Sequence, residues 1–176
     1  MNYDSIKMRE LILYFARNHG DTPPLGRVKM AKLLFYADNE TYRETAYPIT
    51  GAQYRKRPHG PAAAQYEGTF GQMQIDKDAH EEVVGKGFRI VADRDADMSL
   101  FNDDEKRIMA DVLDKYRAWS AQQISDASHR EVGWRVATPD KEIPYEAFLL
   151  APTVTTEHKE RGAKIVAVNG WALDPF

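Results

Sequence analysis

The side chains with the most chemical scope in this sequence are basic and aromatic. Arg55-Lys56-Arg57 is the densest basic stretch, with Arg43 and His59 near it and Tyr47 and Tyr54 close by. Cations interleaved with aromatic rings can bind nucleic acid, and the same patch can face an acidic protein partner. Ser128, His129 and Glu131 bring the three residue types of a hydrolase triad together. Neighbouring residues on a helix point about 100° apart, so the hydroxyl and the imidazole are poorly placed for a direct bond, and a triad is defined by its geometry. The pair reads instead as a helix end, with the ring donors meeting free carbonyls. The five histidines, His19, His59, His80, His129 and His158, show no spacing of four that would set two of them on one helix face for zinc. Asp93-Arg94-Asp95-Ala96-Asp97 has the alternating carboxylates of a calcium loop, but Met98 stands where the loop needs glycine and Asp104 where it needs glutamate. There is no phosphate-binding loop, dinucleotide fingerprint or nucleophile elbow. The expectation is a chain with no catalytic, cofactor-binding or metal-ligating residues, and so not an enzyme.

The composition bounds the remaining classes. A length of 176 residues predicts one domain. With 24 basic and 27 acidic residues the net charge is −3, which excludes a strongly basic nucleic-acid coat. Cysteine is absent, which excludes disulfides, thiolate zinc sites, thiol nucleophiles and iron–sulfur clusters, and fits a reducing compartment. The first residues lack the basic and apolar regions of a signal peptide. The longest apolar run, Leu11 to Ala16, is six residues, far short of the roughly 20 that cross a bilayer. A soluble cytoplasmic protein with no membrane partner is expected.

The elements that must position these residues follow from periodicity. Met8, Leu11, Ile12 and Phe15 recur at helical spacing over 4–18, with Asp4 or Ser5 as cap and Asn18-His19-Gly20 as stop. After Pro23-Pro24 a second helix runs over about 25–44. Its stripe is Met30, Leu33, Leu34 and Ala37, with Arg27, Lys29 and Lys32 mostly outside it. An extended segment passes through Gln53-Tyr54-Arg55, and a break at Pro58-His59-Gly60 leads to a helix starting at Pro61 and running to about Met73. Residues 82–92 predict a hairpin turning at Gly85-Lys86-Gly87. Asn102 to Glu105 is a capping box ahead of a helix ending near Trp119. Ser120 caps a further helix to about His129, and 143–150 predicts one more. Residues 164–168 read as a strand, and Asn169-Gly170 as a turn. The fold class is α+β, mainly helical: a compact bundle of about five or six helices with a small β-hairpin or short antiparallel sheet. A helix-turn-helix reading of the first two helices meets a seven-residue connection holding two prolines, longer than the usual three or four. Nucleic acid is not the expected partner.

Four short motifs occur in a fixed order. Lys32-Leu33-Leu34-Phe35-Tyr36-Ala37-Asp38 is the first, and Ile49-Thr50-Gly51 through Tyr54 to Pro58-His59-Gly60-Pro61 is the second. Ser120-Ala121-Gln122-Gln123-Ile124-Ser125 through Ser128-His129 to Gly133-Trp134 is the third, and Ile143-Pro144 the fourth. Together they resemble the Panacea domain of SocA-like antitoxins, over about residues 5–150. The resemblance implies an antitoxin of a bacterial or phage toxin–antitoxin system. Such a protein binds a cognate protein toxin, encoded by the adjacent gene, by direct contact and without catalysis. It also admits an adaptor that delivers the toxin to a protease, or a DNA-binding autoregulator of the operon.

The family-motif positions are Lys32, Leu33, Leu34, Tyr36, Gly60, Pro61, Ser128, His129 and Trp134. Leu33 and Leu34 are expected in the core, Tyr36 with its ring buried, Gly60 in a turn, Pro61 at a helix start, and Trp134 over the junction of the last helices. Phe35 and Asp38 depart from the motif's usual tyrosine and glutamine, Ala62-Ala63-Ala64 from its valine, and Ala121-Gln122-Gln123 from its Trp-Glu. The expected organisation is a domain over 1–150 and an extension over 151–176, apolar through Ile165, Val166, Val168, Trp171 and Phe176, packed on the same domain. An interface of about 800 Å² per partner, anchored by aromatic and arginine side chains, points to Tyr47, Tyr54, Arg55, Arg57 and Tyr66 as the candidate toxin-binding residues.

Overall fold

The computed structural model describes residues 2–21 and 23–150. The strand over 164–168, the turn at Asn169-Gly170 and the packing of the extension lie outside the described residues. The described residues form six α-helices and two short antiparallel sheets of two strands each. This is the mainly helical α+β class that the periodicity predicts.

Helix α1 (Ser5–Asn18) starts where Asp4 accepts hydrogen bonds from the Ile6 and Lys7 amides. Its inward face, Met8, Leu11, Ile12, Leu13 and Phe15, is fully buried. Helix α2 (Arg27–Thr45) is the centre of the molecule. Thirteen of its nineteen residues are buried, including every one over 29–39, because α1, the helices over 103–116 and 121–128, the strand over 60–63 and the 3-10 turn over 145–149 all pack on it. Over 29–39 the helix has no solvent face. This corrects the expectation for Lys29 and Lys32, which lie in the interior at 0% and 2% exposure.

Strands β1 (Tyr54–Arg57) and β2 (Gly60–Ala63) pair antiparallel, with Tyr54 opposite Ala63 and Arg57 opposite Gly60. The helix expected to begin at Pro61 is therefore a strand, and α3 (Tyr66–Asp76) starts five residues later. Alanine's helix propensity amounts to a few tenths of a kcal/mol per residue, and pairing with β1 overrides it. Gly60, at φ +96°, sets the chain into the hairpin.

Strands β3 (Ala79–Val84) and β4 (Gly87–Ala92) turn at Gly85-Lys86, as expected, with Gly85 at φ +60°. Helix α4 (Asp103–Tyr116) opens with the Asn102–Glu105 capping box, and α5 (Ala121–Ser128) with a second one between Ser120 and Gln123. A short α6 (Val132–Val136) follows. The helix expected over 143–150 is a 3-10 turn, Tyr145–Leu149. Ion pairs fasten the layers: Arg94 bonds Glu10 of α1 at 2.6 Å and Asp78 at 2.8 Å, and Lys7 bonds Glu105 at 2.6 Å.

Candidate functional site

A two-residue loop such as Pro58-His59 leaves backbone carbonyls without partners inside its own sheet, and buried carbonyls need donors. Three helices supply them. From α2, Lys32 Nζ donates to the Pro61 carbonyl at 2.6 Å. From α5, Ser125 Oγ donates to the His59 carbonyl at 2.7 Å, while Ser128 Oγ donates to the Ser125 carbonyl at 2.7 Å. From α6, the Trp134 indole donates to the Arg57 carbonyl at 3.1 Å. The Trp134 ring lies under the Lys56 ammonium at 4.6 Å and stacks on the His129 ring at 4.2 Å. The Ile143 amide donates to the Tyr54 carbonyl at 2.8 Å, so residues from all four sequence motifs meet at one hairpin.

Leu33 and Leu34 are fully buried, and Tyr36 stacks on Tyr116 with ring centres 4.5 Å apart. Pro61 sits within β2 rather than at a helix start. There its missing N–H costs nothing if that position faces away from the ladder. Ser128 and His129 point to different partners, so the hydroxyl and the imidazole are not arranged as nucleophile and base.

Two lysines of α2 are held without a carboxylate. Lys32 has the Pro61 carbonyl, and Lys29 Nζ donates to the Arg117 carbonyl at 2.7 Å, at the end of α4. Burial disfavours the charged form, and it lowers Lys29 to about 8 and Lys32 to about 7. The unfolded chain keeps both protonated up to the ordinary lysine range, so between these values and about pH 10 the unfolded state binds more protons. Stability must then rise with pH. Chemical denaturation between pH 7 and 9.5 should show a slope approaching about 1.4 kcal/mol per pH unit for each lysine. Lys32→Met should remove one share of it. A flat profile in the parent protein would disprove the buried-ammonium assignment.

Beside Lys32 a cleft of about 260 Å³ opens between α2, the first hairpin and α3, lined by Arg27, Ala31, Lys32, Arg57, His59, Ala62 and Tyr66 among others. A second buried polar centre lies deeper, at Asp38, which is fully buried. Its carboxylate accepts from the Thr50 amide at 2.7 Å, from the Thr50 hydroxyl, and from the Tyr54 hydroxyl at 2.8 Å. Burial raises its pKa, and these donors oppose the rise. Sequence reasoning missed this centre, although an acidic residue closing the apolar run Leu33 to Ala37 was a visible signal.

The candidate toxin-binding residues separate in space. Tyr54 and Tyr66 are 1% and 2% exposed, so neither is an anchor projecting from the surface, and the expectation is corrected at both. Tyr54 serves Asp38, and Tyr66 walls the cleft. Tyr47 is 74% exposed, Arg55 is half-buried, and Arg57 is exposed and paired with Asp140 at 2.6 Å. The basic residues of α2 are all engaged: Arg27 is bidentate to Glu81 and bonded to Glu67 at 2.7 Å, and Lys29 and Lys32 are interior. The helix therefore offers no row of free cations to a DNA groove. Among the described residues no helix is long and apolar enough to cross a membrane.

Comparison with curated proteins and with solved structures gives no match. The family model described as antitoxin SocA-like, Panacea domain, matches residues 30–135. That span runs from the first turn of α2 to α6 and includes the hairpin and the helices that clasp it. It covers more than half of the chain, and the protein belongs to the SocA-like antitoxin family of Panacea-domain proteins.

Proposed function

We propose that this protein is the antitoxin of a bacterial or phage toxin–antitoxin pair, acting in the cytoplasm by binding its toxin directly and stoichiometrically. The observation that carries the reading is the family match over 30–135. The local geometry supports it. The motif residues are spent on holding the hairpin. Basic side chains lie on the same hairpin, Arg57 exposed and Arg55 half-buried.

The test is co-expression with the product of the adjacent gene, scored by growth and then by co-purification. Rescue of growth together with a stable complex is the expected result. Rescue without a complex would move the reading to delivery of the toxin to a protease. A harmless, unbound neighbour would remove the proposal. Tyr47→Ala and Arg57→Ala change exposed residues and should leave the melting temperature within about 2 °C of the parent. Each should raise the dissociation constant about tenfold, the scale of an interface anchor. Unchanged affinity by calorimetry in both variants would exclude Tyr47 and Arg57 from the interface.

A further inference from the structure

We infer that the cleft between α2, the β1–β2 hairpin and α3 is a socket for one carboxylate side chain, an aspartate or a glutamate, presented by a protein partner. The partner's identity rests on the antitoxin reading. The anion chemistry does not.

The floor of the cleft is the Lys32 ammonium, 2% exposed. An ammonium has three N–H donors, and only the bond to the Pro61 carbonyl uses one among the described residues. A buried cation without a counter-charge is costly, and the open side of Lys32 is the cleft. The wall supplies a second polar group without a partner. The Tyr66 hydroxyl is buried, and nothing among the described residues bonds it. A carboxylate oxygen supplies the counter-charge that the Lys32 ammonium lacks.

Arg57 and His59 are exposed at the hairpin turn, Arg57 paired with Asp140, and the one acidic residue of the lining, Glu67, is held by Arg27. The lining also holds Ala31, Ala62 and Ala63, an apolar surface that suits the methylenes of an acidic side chain. Low polarity strengthens the ion pair that forms there.

The volume, about 260 Å³, fits a side chain rather than a cofactor. An adjoining groove shares Arg27 and Val28 with the cleft and carries Phe88, which is 56% exposed. An acidic residue flanked by an apolar one is the segment that would fill both.

A bound carboxylate should pull the Lys32 ammonium back toward its ordinary range, so binding takes up a proton and weakens as pH rises above neutrality. The groups facing Lys32 are Arg27, Arg57, His59, Tyr66, Glu67 and the Ser128 hydroxyl. Imidazole is the other side chain able to take up a proton near neutrality, so His59→Asn is the control for the pH profile.

The experiment titrates the full chain with N-acetyl-glutamate N-methylamide, followed by NMR. The glutamine analogue is the neutral control. Saturable shifts at the Gly60 amide and the Tyr66 ring are expected with the glutamate probe only. They should weaken at least tenfold in Lys32→Met, with the fold checked by melting because this variant also leaves the Pro61 carbonyl without its donor. Ala62→Leu fills the cleft without touching Lys32 and should also block the probe. Absence of saturable shifts, equal shifts with the glutamine analogue, or shifts that survive both substitutions would overturn the socket.

Co-expression separates the two readings. If the parent chain rescues growth and Lys32→Met and Ala62→Leu rescue equally, the socket is not where the partner binds, and the antitoxin reading stands. If the parent chain fails to rescue while the probe binds through Lys32, the antitoxin reading falls and the anion site stands.

Discussion

Asp38→Ala is expected to destabilise the protein by about 3 to 5 kcal/mol, the largest effect of any single substitution considered. The substitution strands three donors in a site that water cannot reach: the Thr50 amide, the Thr50 hydroxyl and the Tyr54 hydroxyl. Each buried donor left without an acceptor costs about 1 to 3 kcal/mol, and relaxation recovers only part of the sum. The Tyr54 hydroxyl also lies 3.0 Å from the Leu34 carbonyl and can turn to it. The Thr50 amide has no such alternative, because it sits in the connection between α2 and β1.

The loss should therefore be larger than that of Tyr54→Phe, for which about 1 kcal/mol is expected. Asp38→Asn keeps one carbonyl acceptor and should fall between the two. Urea denaturation with an unchanged m-value is the measurement. A loss below about 1 kcal/mol for Asp38→Ala would mean that the carboxylate does not organise this junction.

Gly60→Ala is expected to cost about 2 to 4 kcal/mol, for two separable reasons. The backbone sits at φ +96°, a region that costs an L-residue roughly 1 to 3 kcal/mol. A Cβ there would also overlap Ser128 Oγ outright and stand 3.1 Å from Lys32 Cε. Overpacking of that kind adds about 1 to 3 kcal/mol, and moving the hairpin to relieve it stretches the Lys32–Pro61 bond.

The two causes can be told apart by a double-mutant cycle. Removing the hydroxyl in Ser128→Ala should recover about 1 kcal/mol of the Gly60→Ala loss, and the backbone share should remain. Full additivity of the two changes would show that the hydroxyl and the hairpin are not in contact. The consequence for function is direct, because the same displacement closes or skews the cleft beside Lys32.

Wherever the determinant was local, the residues alone were sufficient. The Asp4 cap, the two capping boxes and the Gly85-Lys86 turn are decided by backbone groups within three residues of the side chain that satisfies them. The four motifs likewise give the family, because the residues that clasp the hairpin must stand at set spacings along α2, α5 and α6.

The tertiary structure decided what happens at long range. Lys32 meets a carbonyl 29 residues away, and Lys29 one 88 residues away. Helical periodicity separates a wet face from a dry one, and α2 has no wet face over 29–39. The alanines of Ala62-Ala63-Ala64 favour a helix by a few tenths of a kcal/mol each. The strand partner at 54–57 outweighs them, and nothing near those alanines announces it. Tyr54 and Tyr66 look like interface anchors by residue type, but packing turned both inward, one to hold Asp38 and the other to line the cleft. Burial depends on how the elements assemble, and that is why the family could be read from spacing while the socket could be read only from the fold.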